Sequence, residues 1–184
     1  MTRMLPPLFC NNTLMNPPLD NLDAEALYQT LLQQIQAELI DEPNLALVGI
    51  HSGGAWIAER MAKDLKLENP PGFIDVSFYR DDYAQKGLPA AVKPTQIPFD
   101  VGGATILLID DVLYTGRTTR AAINELFDYG RPGKILLAAL IDRGDRELPI
   151  AANFVALTVS IPKNQVLELH RTDDNIFSLT VEHA

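Results

Sequence analysis

Two adjacent carboxylates, Asp110 and Asp111, stand shortly before a run of hydroxyls with one glycine: Leu113-Tyr114-Thr115-Gly116-Arg117-Thr118-Thr119. Neighbouring carboxylates can hold neighbouring hydroxyls of a sugar, directly or through Mg²⁺, which prefers oxygen ligands and keeps several waters. The hydroxyls of Thr115, Thr118 and Thr119 are donors for a phosphate, and Gly116 lets the backbone come close to it. Such a turn needs a helix behind it, because the free N–H groups and dipole of a helix N-terminus favour an anion. Taken together, these residues describe a pocket for a ribose 5-phosphate. Neither G-x-x-x-x-G-K-[ST] nor G-x-G-x-x-G is present, so the loop is neither of those two nucleotide cradles. A charged strand end followed by a well-capped helix is the bland alternative, and either half of the pattern alone would fit it.

The elements required are legible around the motif. Ala104 to Ile109 is a short apolar run, as a buried parallel strand should be, with the two acids at its end. Arg117 to Tyr129 reads as a helix, closed by Gly130 with Pro132 beyond. A second unit of the same kind lies upstream. Leu45 to Ile50 is apolar, His51-Ser52-Gly53-Gly54 is a tight turn, and Ala55 to Leu65 has helical spacing in Trp56, Ile57, Met61 and Leu65. Asn21 to Ile40 reads as the first helix, with Asp20, Asn21 and Asp23 offering N-cap oxygens as acceptors. Its apolar line is Leu27, Leu31, Ile35 and Leu39, with Ala24, Tyr28 and Leu32 alongside. Phe73 to Tyr79 alternates like a strand, and Lys134 to Ile141 is another buried run. Shorter strands fall near Phe154, Val166 to Leu169 and Ile176 to Val181. Strands alternating with helices imply a three-layer α/β fold on a parallel sheet. Arg80 to Gly103 has no sustained period, and a loop of that length in a compact domain is functional or mobile.

The bulk properties bound the function. A chain of 184 residues, 47% hydrophobic and 21% charged, suits a single globular domain over residues 1–184. One cysteine, Cys10, excludes an internal disulfide framework. No apolar run approaches the length of a membrane span, and residues 1–18, broken by prolines, read as an arm and not a signal peptide, so the cytoplasm is the expected compartment. Net charge is −9, from 15 Lys+Arg against 24 Asp+Glu. That balance disfavours generic nucleic-acid binding, which depends on neutralising phosphates. Arg60, Lys63 and Lys66 recur on one helix and form the best small basic face, otherwise the solvated side of that helix.

The segment Ile106 to Thr119 resembles the 5-phosphoribosyl-1-diphosphate signature of the type I phosphoribosyltransferases. Further words resemble the branch of that family formed by pyrimidine-operon regulators with uracil phosphoribosyltransferase activity. They are Val76-Ser77-Phe78-Tyr79-Arg80-Asp81-Asp82, Asp110 to Arg120, Phe127 to Pro132, and Leu140-Ile141-Asp142-Arg143-Gly144-Asp145-Arg146-Glu147-Leu148-Pro149-Ile150. They occur in the same order as in that branch and cover most of the chain from Leu45 to Phe154.

The resemblance implies the type I fold with a small hood built from the C-terminal or N-terminal segment. It implies that Leu113 to Thr119 cradles the 5-phosphate and that Asp110 and Asp111 face the ribose hydroxyls, touching Mg²⁺ only indirectly. His51, Ser52, Gly53 and Gly54, reached through Gly49-Ile50, match the diphosphate loop. Residues 80–103 match a flexible catalytic loop, in which Arg80, and less so Lys86 or Lys93, would neutralise the leaving diphosphate. Asp142, Arg143, Phe154 and Val155 fall on the base side, with plain core packing the alternative for Phe154. The implied reaction joins uracil to 5-phosphoribosyl-1-diphosphate and gives UMP and diphosphate, a salvage step in pyrimidine metabolism, in a homo-oligomeric (dimeric or tetrameric) enzyme.

Three departures bear on this expectation. Gly53 stands where the branch often has arginine, Asp145 where it often has histidine, and Ala156-Leu157-Thr158 where Gly-Lys-Asn is expected. The lost cations and the acidic balance weaken the rival reading, an RNA-binding attenuator of pyrimidine genes that uses the pocket only to sense UMP. A purine or orotate phosphoribosyltransferase is disfavoured by the branch-specific words.

Overall fold

The computed structural model describes residues 22–39, 41–76 and 94–183. The arm, Cys10, and the loop residues Arg80, Lys86 and Lys93 lie outside the described residues.

The first helix, α1 (Ala24–Leu39), starts where Asp23 caps it: Asp23 Oδ1 accepts from the amides of Glu25 (3.0 Å) and Ala26 (3.1 Å). Its buried line is Ala24, Tyr28, Leu31, Ile35 and Leu39. Tyr28 thus takes the place expected of Leu27, one position round the helix. Strand β1 (Leu45–Ile50) and helix α2 (Gly53–Asp64) follow. Strand β2 (Gly72–Ile74) covers the start of the expected Phe73 to Tyr79 strand, whose residues 77–79 lie outside the described residues, and Phe73 also exchanges backbone hydrogen bonds with Gln96, at 2.7 and 2.8 Å. Strand β3 (Thr105–Leu113), helix α3 (Arg117–Asp128), β4 (Lys134–Asp142) and β5 (Phe154–Thr158) complete the main body. One boundary corrects the sequence reading. β3 does not stop before Asp110; it pairs with β4 through Leu113, so both acids are strand residues.

β2-β1-β3-β4-β5, in that order, form one parallel five-stranded sheet. Its two faces are covered by different helices. Leu47, Leu107, Ile109, Ala138 and Leu140 pack with α1 and α2. Val48, Ile106, Leu108, Leu137 and Ala139 pack with Ala121, Ala122 and Leu126 of α3. The central strands are buried on both sides, which explains why they read as continuous apolar runs. The chain ends in an antiparallel hairpin, β6 (Gln165–Arg171) and β7 (Phe177–His183), which supplies the expected hood from the C-terminal segment. Leu167, Leu169 and Phe177 join it to the α1 side of the core, and the Phe177 ring meets Tyr28 edge-on at 5.5 Å.

Candidate active site

In a parallel sheet every strand delivers its C-terminal loop to the same edge. Here those loops are His51-Ser52 after β1, Tyr114-Thr115-Gly116 after β3, and Arg143 to Ile150 after β4. The strand order puts β1 beside β3, yet α2 lies on one face and α3 on the other. That reversal is a topological switch point, and the crevice outside it is where open α/β sheets bind ligands.

The crevice is closely built. A Cβ added to Gly53 would lie 2.2 Å from Asp111 Oδ2, and one added to Gly54 would lie 2.2 Å from the Ile109 carbonyl. Gly49 is equally constrained, since a Cβ there would meet Ala55 Cα at 2.5 Å. Gly53 and Gly54 therefore let the N-terminus of α2 press against β3 at the acids, and Gly49 lets it press against β1. A side chain at position 53 would require Asp111 to shift from its place in this structure. The His51–Ser52 peptide is cis. Ser52 precedes α2 without a side-chain cap bond, so its hydroxyl is not spent on the helix.

The two acids differ. Asp110 is only 5% exposed, and its Oδ1 accepts from the Asp111 amide at 3.1 Å. Asp111 is half-buried against Gly53. Consecutive strand residues point to opposite faces, so the two carboxylates flank the end of β3 from its two sides. Among the described residues no group of three or more His, Cys, Asp or Glu converges as a metal cage. This donor set suits a Mg²⁺ that brings most of its own ligands.

The turn after β3 has the expected form. Gly116 adopts φ +94°, a left-handed conformation that glycine tolerates, and it precedes α3 with no side-chain cap bond. Thr115 Oγ1 accepts from the Arg117 amide at 3.3 Å. Arg117 is exposed and pairs with Glu147, and Thr118 is half-buried. Thr119 is fully buried, and its Oγ1 has no partner among the described residues.

The base-side candidates separate. Asp142 is engaged within the protein: its Oδ1 accepts from the Gly144 amide (2.9 Å) and its Oδ2 binds Arg146 (2.5 Å). Arg143 is 6% exposed, its guanidinium stacks 4.0 Å from the centroid of the Tyr114 ring, and its Nε has no partner among the described residues. Phe154 packs inside the protein in this structure, which favours its core reading. It opens β5 opposite Ala138, is buried in the α1-side core, and has no open face for a stacked ring. Val155 is half-buried and its carbonyl accepts from Gln34 of α1 at 3.1 Å. The strand end at this edge is instead Thr158, opposite Asp142.

A phosphoribosyl transferase domain model matches residues 19–169, most of the chain and all of this crevice. The chain belongs to the phosphoribosyl transferase domain family. Within it, the chain is 51% identical over 152 residues to the Bifunctional protein PyrR of Ralstonia nicotianae, covering 82% of this chain and 87% of that one. It is 41% identical over 163 residues to the Bifunctional protein PyrR of Nitrosococcus oceani, covering 86% and 92%. Among solved structures, a hypoxanthine-guanine phosphoribosyltransferase from Bacillus anthracis superposes with a TM-score of 0.60 at 18% identity, over 80% of this chain and 85% of that one. A purine phosphoribosyltransferase from Pyrococcus horikoshii gives 0.55 at 21%, over 74% and 82%. At those identities the phosphoribosyltransferase fold is what is shared. The family's fold is thus present in this chain.

Proposed function

We propose that this chain is a uracil phosphoribosyltransferase, which makes UMP and diphosphate from uracil and 5-phosphoribosyl-1-diphosphate. The observation that carries the reading is the meeting at one switch point of Asp110-Asp111, the Leu113 to Thr119 turn and the Ser52 to Gly54 turn. Likeness to relatives called Bifunctional protein PyrR supports the choice of a pyrimidine.

In this reading the C1–O bond to diphosphate breaks, the anomeric carbon becomes oxocarbenium-like, N1 of uracil bonds to its opposite face, and the N1 proton is released. No protein nucleophile is needed. The turn after β3 holds the 5-phosphate and so fixes where C1 stands, which converts the encounter into a positioned reaction. Asp110 and Asp111 set negative charge beside the cationic ribose. Mg²⁺, held through ribose hydroxyls or water by those acids, would supply charge neutralisation at the diphosphate. The Ser52-Gly53-Gly54 backbone and Arg80 are assigned to the diphosphate. Arg143, with an unpartnered Nε beside Tyr114, is the candidate donor to a pyrimidine carbonyl. The enzyme is expected to work in the cytoplasm as a dimer or tetramer.

A second reading, a UMP-sensing RNA-binding attenuator, is favoured by the word bifunctional in the names of those relatives. The candidate basic face weakens it: Arg60 is turned onto Glu25 and Lys63 pairs with Glu59. Assay of uracil, orotate, hypoxanthine and guanine with 5-phosphoribosyl-1-diphosphate and Mg²⁺ tests the main reading. UMP formation is the expected result; turnover of a purine alone, or of no base, would sink it.

A further inference from the structure

Arg143 apart, the word Asp142 to Ile150 is the part of the edge that the reaction above leaves without a role. Arg146 is 21% exposed at its side chain, yet its guanidinium does not face outward. It donates to the backbone carbonyls of Leu113 (3.3 Å) and Tyr114, to those of Gly144 (3.2 Å) and Ile150 (3.0 Å), and to Asp142 Oδ2. The next carbonyl of the turn, that of Thr115, accepts from the amides of Glu147 and Leu148, both at 3.1 Å. The Arg143 amide also reaches the Leu113 carbonyl, at 3.1 Å. Behind Gly116 the contact is steric: a Cβ there would meet Ile150 at 3.1 Å and Leu148 at 3.5 Å. Glu147 adds its ion pair to Arg117.

Three successive carbonyls, of Leu113, Tyr114 and Thr115, are thus drawn toward one segment. In a planar trans peptide the C=O and the following N–H point in opposite directions. Holding these carbonyls back therefore turns the amides of Tyr114, Thr115 and Gly116 the other way, together. Successive amides on one side make a nest that favours an anion. A lysine could not do this. One planar guanidinium has five donors in a fixed fork, whereas an ammonium is a compact charge on a flexible stem.

We infer that Arg146, with the Glu147 to Ile150 segment behind it, is the positioning residue of the 5-phosphate turn: it touches no substrate, and it sets the direction of the amides that do. The inference rests on the reading of Leu113 to Thr119 as the phosphate cradle.

The test is Arg146→Lys, with Arg171→Lys as a control in an ion pair of the hood. Ribose 5-phosphate affinity is measured by equilibrium titration, thermal unfolding is recorded, and KM is determined separately for 5-phosphoribosyl-1-diphosphate and for uracil. Arg146→Lys is expected to weaken ribose 5-phosphate at least tenfold and to raise KM for 5-phosphoribosyl-1-diphosphate by a similar factor. KM for uracil should move less than threefold, and Arg171→Lys should stay within twofold of the native chain throughout. A merely structural arginine would lower the melting temperature without that split. Native-like affinity in Arg146→Lys overturns the inference while leaving the proposed function standing. Failure of the native chain itself to bind ribose 5-phosphate overturns both. If Arg146→Lys does not fold, Asp142→Asn removes the charge that anchors Arg146 and keeps an acceptor for Gly144. It should then weaken ribose 5-phosphate in the same direction, and native affinity there overturns the inference.

Discussion

At the scale of single residues, the crevice is defined as much by absent side chains as by present ones. Asp111 occupies the space that a Cβ at position 53 would take. Gly53→Ala would place a carbon 2.2 Å from Asp111 Oδ2, and backbone on both sides leaves the carboxylate as the group that must move. Phosphoribosyl transfer by Gly53→Ala is expected to fall by at least about tenfold, the scale at which a small misplacement of a reacting group acts. Steady-state assay checks this, with circular dichroism confirming the fold. The acids themselves give a sharper test. Asp110→Asn with Asp111→Asn should lower kcat by about a hundredfold or more, the range seen when a preorganised electrostatic group is removed. Holding two carboxylates side by side favours the folded state little, so the melting temperature should change by only a few degrees or rise. A fully active double variant would make the pair structural.

At the scale of elements, the hood is fastened to the helices by a half-buried polar latch. Arg60 of α2 binds both oxygens of Glu25 of α1, at 2.7 and 2.8 Å. The same Glu25 accepts from the amide of Phe177 in β7 at 2.7 Å. The Arg60 guanidinium lies over the Tyr28 ring (4.3 Å) and near that of Phe177 (5.1 Å), and Tyr28 donates to Asp64 at 2.5 Å. Burial and the Asp64 carboxylate push the Tyr28 phenol well above its ordinary pKa, so it stays a neutral donor. Arg60→Met removes two charge-assisted bonds and is expected to cost about 1–3 kcal/mol in urea unfolding. The Arg60 hydrogen bond, opposed by burial and aided by the Phe177 amide, holds the Glu25 carboxyl below its ordinary value. A carboxyl depressed in the folded state contributes stability above its unfolded pKa, and that contribution is lost as pH falls through the folded one. Stability should therefore decline on acidification below the ordinary glutamate range, and Glu25→Gln should flatten part of that decline. An unchanged acid limb in Glu25→Gln would remove the latch from the account. The second pair, Arg171 with Glu59 at 2.7 Å, is more exposed and is expected to add less.

At the scale of the whole molecule, the proposed product should couple to folding. A ligand that binds only the native state at a hundred times its Kd stabilises it by about 2.7 kcal/mol. Saturating UMP is expected to raise the melting temperature by several degrees, and uridine, which lacks the phosphate, by much less. Equal shifts would mean that the turn after β3 is not the phosphate cradle. The charge of the molecule bears on the second reading. With a net charge of −9 and the α2 cations partly neutralised by Glu25 and Glu59, binding to the leader RNA of pyrimidine genes is expected to be weak. A gel-shift titration with and without UMP checks this. Tight, sequence-specific binding enhanced by UMP would raise the attenuator to equal rank.

Local signals carried the order and type of the elements. β1 begins and ends where its apolar run does, and α1, α2, α3 and β4 fall within a few residues of their periodic or apolar stretches. Asp23 could be named among the cap residues because capping is a contact of neighbours in sequence. The acid pair and the Thr115-Gly116 turn were legible for the same reason, being one contiguous strand–turn–helix word. What sequence alone could not reach depends on contacts between distant segments. β3 runs on through Asp110 to Leu113 because β4 offers it partners that far, which no property of Ala104 to Ile109 announces. Phe154 reads equally as a base platform or as core, and its packing with the α1 side, which favours core, is visible only in the folded chain. Arg146 looks like one more surface cation beside the site; its use becomes visible once β4 lies next to β3 and the carbonyls of Leu113 and Tyr114 come within its reach. Spacing along the chain encodes short-range geometry, whereas the approach of Gly53 to Asp111 and of Arg146 to the turn follows from how the sheet orders its strands.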